Sequence, residues 1–308
     1  MGTGTDSAAR NRLRLWLRSE RAMGLRTVPL PAAVAPAADD RAEAAHVVPV
    51  VDSVHTIDEE RSLPAPHPET RVVPPPSAKC HPAEVKADDL FLPSADQPGF
   101  DAPELSPQEK RARLVALDDK EVRGCTKCRL CETRKNTVFG EGDPAAQTFF
   151  IGEGPGETED LTGRPFVGRA GEMLNKWIAA MGLRREQVFI ANIVKCRPPG
   201  NRVPAPDEVA TCTPYLQRQL EIIRPRVIVT LGLPAAKYML QSGLTMGKLR
   251  GQWHAWRDIK LMPTFHPAYV LRNPSYETRA AVWSDLKKVM AELGMALPAE
   301  NKTAQPRA

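Results

Sequence analysis

The chain has 308 residues, of which 42% are hydrophobic and 26% charged, and its net charge is +5. It contains no run of roughly 18 apolar residues, which excludes a transmembrane helix. The sequence shows no apolar segment followed by a small-residue cleavage site, so it does not predict a secretory signal peptide. The small positive charge is compatible with a polyanionic partner and equally with a solvated basic surface.

The N-terminal third divides into two segments. In residues 1–28, Leu13, Trp16 and Leu17 share one face of a predicted short, basic, amphipathic helix. The segment docks on an unknown protein partner or on DNA, or it rests on its own domain, or it does not fold. Residues 29–105 are rich in proline and alanine and hold nearly half of the chain's 30 prolines. Such a composition buries too little apolar surface to offset the entropy of ordering, so we predict a disordered linker.

The folded domain is predicted over residues 106–294, followed by a disordered tail at 295–308. Its length of about 190 residues is sufficient to bury one core. Ser106 and Glu109 form a capping box that predicts the first helix, which runs to about Arg123. Further helices are predicted at Leu174–Met181, at Pro206–Ile223, from Pro234 onward and at Arg279–Leu293.

Four apolar runs predict buried strands between these helices: Thr148–Ile151, Val188–Val194, Val227–Leu231 and Lys260–Thr264. Strands that alternate with helices indicate an α/β fold with a mainly parallel central sheet, covered on both faces. The ligand site of such a sheet lies at the carboxyl ends of its strands. The glycine-rich turn Gly152–Gly156 and His266 directly follow strands, and Asn192 lies near the end of one. We therefore expect these residues to converge.

The cysteines have the spacing of metal ligands. Cys125 and Cys128 form a C-x2-C pair, and fifteen residues separate Cys196 from Cys212. Four thiolates suit either tetrahedral zinc or a [4Fe–4S] cluster, and spacing alone does not separate the two. Cys131 extends the first pair to C-x2-C-x2-C. Metal-ligand spacing favours a reducing, cytoplasmic compartment.

Several motifs in order resemble the family 4 uracil-DNA glycosylases. Gly152–Asp160 (GEGPGETED) is similar to the first family motif, and His266–Arg272 (HPAYVLR) to the second. The similarity continues through Thr162–Gly168 and Asn192–Pro199, and the matched region covers about 125–294. The resemblance implies a three-layer α/β/α sandwich. It also implies a [4Fe–4S] cluster held by Cys125, Cys128, Cys196 and Cys212, with Cys131 as an extra cysteine.

The resemblance also implies roles in excising an extruded uracil. Phe166 matches the aromatic residue that stacks on the base, and Asn192 the amide that reads uracil O4 and N3–H. His266 is expected to donate a hydrogen bond to uracil O2 as negative charge develops there.

The turn after the first strand is expected to hold the water nucleophile and the uracil. Glu153, Gly154 and Pro155 line this turn. No carboxylate stands at Gly154, where better-known uracil glycosylases have an aspartate. Glu153, Glu159 or Asp160 therefore positions the water or stabilises the turn, and we favour Glu153 as the water-positioning residue.

DNA contacts are expected from a loop at Tyr269–Pro274 that enters the minor groove. Leu271 is the predicted wedge that fills the space of the flipped nucleotide, and Arg272 a predicted phosphate contact. Further candidates for backbone contacts are Arg164, Arg169, Lys195, Arg197, Arg202 and Arg250.

The sequence thus predicts a DNA repair hydrolase that removes uracil from DNA and leaves an abasic site. We expect a cytoplasmic, nucleoid-associated, bacterial-type monomer whose partner is uracil-containing DNA and which does not engage a membrane. The alternative is an iron–sulfur DNA-binding or electron-transfer protein, associated with a DNA polymerase and without glycosylase activity.

Overall fold

A six-stranded mixed sheet forms the centre of the protein. The computed structural model describes residues 103–297; the predicted helix in 1–28, the linker up to residue 102 and the tail from 298 lie outside these residues. The strands are β1 (Glu141–Gly142), β2 (Thr148–Gly152), β3 (Phe189–Asn192), β4 (Val227–Leu231), β5 (His254–Trp256) and β6 (Ile259–Thr264), in the spatial order β1-β3-β2-β4-β6-β5.

The four inner strands β3, β2, β4 and β6 are mutually parallel, as the apolar runs predicted. Both edge strands are antiparallel and were not predicted. Because β1 has two residues and β5 three, neither carries enough alternation to be recognised as a strand.

The helices are α1 (Pro107–Leu117), α2 (Glu157–Thr162), α3 (Arg169–Ala180), α4 (Pro206–Ile223), α5 (Leu233–Leu240), α6 (Met246–Leu249), α7 (Pro267–Arg272) and α8 (Tyr276–Glu292). A single π-helical turn, Asp118–Val122, extends α1. The predicted capping box starts α1, since the Ser106 amide donates to Glu109 Oε2 at 2.9 Å. No helix among the described residues is long and apolar enough to cross a membrane.

Helices cover both faces of the sheet, which confirms the three-layer α/β/α architecture. Successive side chains of a strand point to opposite faces. Phe149 and Ile151 of β2 accordingly pack with α1, α4 and α5, and Phe150 packs with α3, α7 and α8 on the other face.

The segment predicted as a loop at Tyr269–Pro274 is largely helical, which corrects that prediction. Helix α7 begins after His266, which acts as its N-cap, and Pro267 occupies the first helical position, where a missing N–H costs nothing. A tight turn follows, and Ser275 caps α8, so this helix begins three residues earlier than predicted.

Candidate active site

A cleft of about 980 Å³ opens at the carboxyl ends of the parallel strands. Seven of the predicted site residues line it: Glu153, Gly154, Pro155, Phe166, Asn192, His266 and Arg272. They come from the turn after β2, the end of β3, the turn after β6, the segment between α2 and α3, and the C-terminal end of α7. The predicted convergence of distant strand ends therefore exists in the fold.

Phe166 and His266 face each other across this cleft. Their ring centroids are 5.8 Å apart and the ring planes are inclined by 35°. Phe166 is only 6% exposed and has a φ of +49°. A left-handed backbone is costly for an aromatic residue and persists only where the surroundings enforce it.

Hydrogen bonds to Phe166 and to its neighbours on both sides in the chain hold its strained backbone conformation. Arg185 donates from Nη1 to the Phe166 carbonyl at 3.1 Å and from Nη2 to the Pro165 carbonyl. Glu159 Oε1 accepts the amides of Val167 and Gly168 at 2.9 and 2.8 Å. Sequence reasoning missed Arg185, because it lies in a short 3₁₀ turn with no motif of its own.

Gly152, the last residue of β2, allows the stacking ring and the amide to approach each other. A Cβ at this position would lie 2.3 Å from Asn192 Oδ1 and 2.5 Å from Phe166 Cζ. Both separations are far below van der Waals contact, so only glycine permits this arrangement.

Asn192 is buried at the end of β3, and its Oδ1 has no hydrogen-bond partner among the described residues. A buried acceptor without a partner is rare and points to a missing ligand or water. The Asn192 carbonyl, in contrast, accepts from Lys195 Nζ at 2.8 Å, and Gln219 Oε1 accepts from the same ammonium group at 2.6 Å. Lys195 thereby fixes the backbone of Asn192.

His266 presents a neutral imidazole to the cleft. Burial and the nearby charge of Arg272 lower its pKa from 6.5 to about 4. The Ala268 amide donates to His266 Nδ1 at 3.1 Å, as part of the N-cap of α7. With Nδ1 acting as an acceptor, the proton of the neutral ring resides on Nε2, which is left as a donor.

The three candidate carboxylates differ in what they already bind. Glu159 accepts the amides of Gly156, Val167 and Gly168. Asp160 is buried and accepts the amides of Lys135 and Asn136 at 2.9 and 3.2 Å. Both therefore stabilise the loop backbone.

Glu153 is the carboxylate with a side chain open to a ligand. It lines the cleft, and within residues 103–297 no hydrogen bond or ion pair involves its side chain. Burial raises the pKa of this carboxyl.

The residues predicted to contact DNA differ in whether they line the cleft. Arg169, Arg202 and Arg272 line the cleft, whereas Leu271 is half-buried on α7 outside the cleft lining, and its wedge role stays a prediction. Lys195 is only 1% exposed, so the prediction that it contacts DNA is wrong.

Three further predicted contacts, Arg250, Arg164 and Arg197, form bonds within the protein. Arg250 donates to Asp285 at 2.7 and 3.1 Å, and Arg164 forms an ion pair with Glu141 at 2.9 Å. Arg197 donates to Asn201, which lines the cleft, at 2.8 Å.

Cys125, Cys128, Cys196 and Cys212 are free thiols that line one small second cavity. Cys131 is disulfide-bonded and is therefore not one of them. Within the described part of the chain, no three His, Cys, Asp or Glu side chains are close enough to share one metal ion.

The environment of these sulfurs suits bound thiolates. Arg134 Nη1 donates to Cys196 Sγ at 3.0 Å, and the Lys195 amide donates to Cys212 Sγ at 3.2 Å. Burial raises the pKa of Cys196 to about 12. The charge of Arg134 opposes this rise, and coordination to a metal would lower the pKa of the thiol further.

Comparison with known proteins gives consistent matches. The family model of the uracil DNA glycosylase superfamily matches residues 139–287. The type-4 uracil-DNA glycosylase of Thermotoga maritima is 47% identical over 180 residues, which are 58% of this chain and 94% of that protein. The type-4 enzyme of Sulfurisphaera tokodaii is 47% identical over 179 residues, or 55% of this chain and 80% of that protein.

A type-5 uracil-DNA glycosylase of Pyrobaculum aerophilum is more distant. It is 28% identical over 170 residues, which are 50% of this chain and 75% of that protein. The similarity therefore separates the two types in favour of type 4.

Proposed function

The chain belongs to the type-4 uracil-DNA glycosylase family, and we propose that it hydrolyses the N-glycosidic bond of uracil in DNA, leaving an abasic site for repair. The observation that carries this proposal is the buried Oδ1 of Asn192, which lies in the cleft without a partner. Uracil N3–H supplies the missing donor, while the Asn192 amide nitrogen donates to uracil O4.

The same arrangement discriminates against cytosine. Cytosine has an acceptor at N3 and a donor at the exocyclic amine, so both of its edge groups oppose those of an amide fixed in this orientation. The unpaired buried groups that result account for strong rejection. Phe166 contributes a flat apolar surface beside the extruded base.

Departure of the base is assisted by His266. Cleavage places positive charge on the sugar and negative charge on uracil O2. The neutral imidazole donates from Nε2 to that oxygen, and the bond strengthens as charge develops. The cap bond from the Ala268 amide to Nδ1 fixes the required tautomer.

The water nucleophile is positioned by the turn Glu153–Pro155. Of the three candidate carboxylates, Glu153 is the one whose oxygens are not used by the surrounding backbone. It holds the water against the sugar carbon, and Gly154 and Pro155 form the wall beside the uracil. Arg272 contacts a phosphate, and Leu271 occupies the space that the extruded nucleotide leaves.

The four free cysteines suit a [4Fe–4S] cluster better than zinc. A zinc ion needs its ligands about 2.3 Å from a single centre, whereas each cysteine of a cubane binds its own iron, so the sulfurs are spaced more widely. Cys125 and Cys128, in the segment after α1, would hold such a cluster together with Cys196 and Cys212, and it would supply a structural link between these segments. The Lys195 amide donates to Cys212 Sγ, and Lys195 Nζ donates to the Asn192 carbonyl.

The electron-transfer alternative is not favoured, because it assigns no role to the converging Asn192, His266 and Phe166. We further propose that the protein acts as a monomer in the cytoplasm and that residues 1–28 dock a protein partner. The metal-ligand spacing of the four free cysteines supports the cytoplasmic proposal.

The test is release of free uracil from single- and double-stranded oligonucleotides. Asn192→Ala and His266→Ala should each lower kcat by roughly 10²–10³-fold, the typical cost of removing one such donor or reader, and both should keep the brown cluster. His254→Ala is the matched control, because this histidine lies on β5 outside the cleft lining. Parental rates for both cleft variants would overturn the site assignment.

A further inference from the structure

An aromatic pair stands at the rim of the cleft beyond the uracil site. The rings of Phe265 and Tyr269 are stacked, with centroids 5.0 Å apart and planes inclined by 24°, and both residues line the cleft. The Arg250 guanidinium lies 5.3 Å from the Phe265 ring centroid on a cation–π contact. We call Phe265 and Tyr269 the rim stack.

Arg250 and Asp285 hold the rim stack in place. Arg250 donates to both oxygens of Asp285 and to the Ala281 carbonyl at 2.6 Å. Asp285 is fully buried on α8 and also accepts from Thr264, the last residue of β6, at 2.8 Å. The stack is therefore anchored to the sheet and to α8, and its orientation is fixed before any ligand arrives.

Tyr269 exposes its outer surface to the cleft. The residue is 39% exposed, and no hydrogen bond within residues 103–297 involves its hydroxyl group. It follows His266 by three residues on α7, and Arg272 follows it by three more on the same helix. Residues three apart share a helix face, so Tyr269 lies between the imidazole of the uracil site and the proposed phosphate contact.

Extrusion of uracil leaves one face of the adjacent base without a stacking neighbour. A fixed aromatic ring at the edge of the site replaces that neighbour. We propose that Tyr269 is a second base-binding subsite, which stacks on the nucleobase next to the extruded uracil. This inference rests on the proposed glycosylase function. Because every base has a π-face, the subsite tolerates all four bases.

The first experiment compares variants in single-turnover uracil excision with increasing enzyme concentration. Tyr269→Ala should raise the half-saturating enzyme concentration by roughly 5- to 150-fold, the range of one base–aromatic stack. Tyr269→Leu, which keeps an apolar cover on Phe265, should do the same, whereas Tyr269→Phe should match the parent. Tyr276→Ala is the control, because Tyr276 is 58% exposed on α8 but does not line the cleft.

The second experiment replaces the base on one side of the uracil, and then on the other, with an abasic tetrahydrofuran. One replacement should weaken the parent about as much as Tyr269→Ala does, and it should have no further effect on Tyr269→Ala. Additive losses, or a Tyr269→Phe variant as weak as Tyr269→Ala, would overturn stacking.

Different results would overturn the proposed glycosylase function and the Tyr269 subsite. A parental chain that releases no uracil from any substrate overturns the proposed function and this subsite with it. A parent that excises uracil normally, together with Tyr269→Ala and Tyr269→Leu that match it, overturns the subsite alone. Cluster absorbance and circular dichroism of each variant verify the fold.

Discussion

Replacing Gly152 with alanine should inactivate the site without removing any reacting group. The new methyl carbon would lie 2.3 Å from Asn192 Oδ1 and 2.5 Å from Phe166 Cζ. Each must retreat by about 1 Å to restore ordinary van der Waals separation. A misplacement of about 1 Å costs roughly 10²-fold in rate, so kcat/KM should fall by about 10²-fold or more.

The same substitution should leave the rest of the protein intact. Overpacking of this kind lowers the free energy of unfolding by about 1–3 kcal/mol, which a domain of this size tolerates. The assay is steady-state release of uracil, with cluster absorbance as the check on folding and affinity for abasic product DNA as the check on the DNA surface. Gly243→Ala is the control, because its Cβ would meet nothing within 4 Å and its φ is not positive.

A Gly152→Ala variant that folds and keeps the parental kcat/KM would contradict this explanation of the pocket. That result would mean that Asn192 and Phe166 move apart at no cost to excision. A loss of affinity for abasic product DNA equal to the loss in kcat/KM would likewise contradict the explanation, since the clash concerns the base pocket alone.

Two further predictions follow from the surroundings of the pocket. The pKa of His266 is lowered from 6.5 to about 4, so the folded protein favours the neutral imidazole. This preference contributes to the free energy of unfolding above pH 6.5, and the contribution is lost as the pH falls towards 4. The pH profile of kcat should therefore show no inflection near 6.5, and Arg272→Met should move the acid limb upward. Arg185→Met should lower kcat/KM by freeing the Phe166 backbone, whereas Arg164→Met, which loses a bond to the same Glu141, should not.

The strand ends could be predicted from the sequence because the inner strands are continuous apolar runs. In a parallel sheet those ends meet at one edge, which places Asn192 and His266 together before any coordinates are known. The edge strands β1 and β5 could not be predicted, because their pairing depends on neighbours distant in the chain. Helix α7 was missed since two prolines frame it, although one of them starts the helix.

Lys195 shows why some contacts could not be predicted from the sequence. A lysine beside an arginine in a polar motif resembles a DNA contact. Its burial depends on Gln219 of helix α4, which accepts from the ammonium group at 2.6 Å. Arg185 is a similar case, because its bonds to Pro165 and Phe166 span about 20 residues. Both are tertiary contacts that no local pattern encodes.

The free protein carries two local costs within one small pocket. Phe166 has a left-handed backbone, and Asn192 has a buried acceptor without a partner among the described residues. Such costs persist where the surrounding structure enforces them, and they concentrate at functional sites. Glu159 and Arg185 hold the left-handed backbone of Phe166. Lys195, whose amide donates to Cys212, holds the backbone of Asn192. In the proposed function uracil N3–H donates to the Asn192 acceptor and cytosine N3 cannot, so the pocket discriminates between the two bases through an amide that is held rigidly.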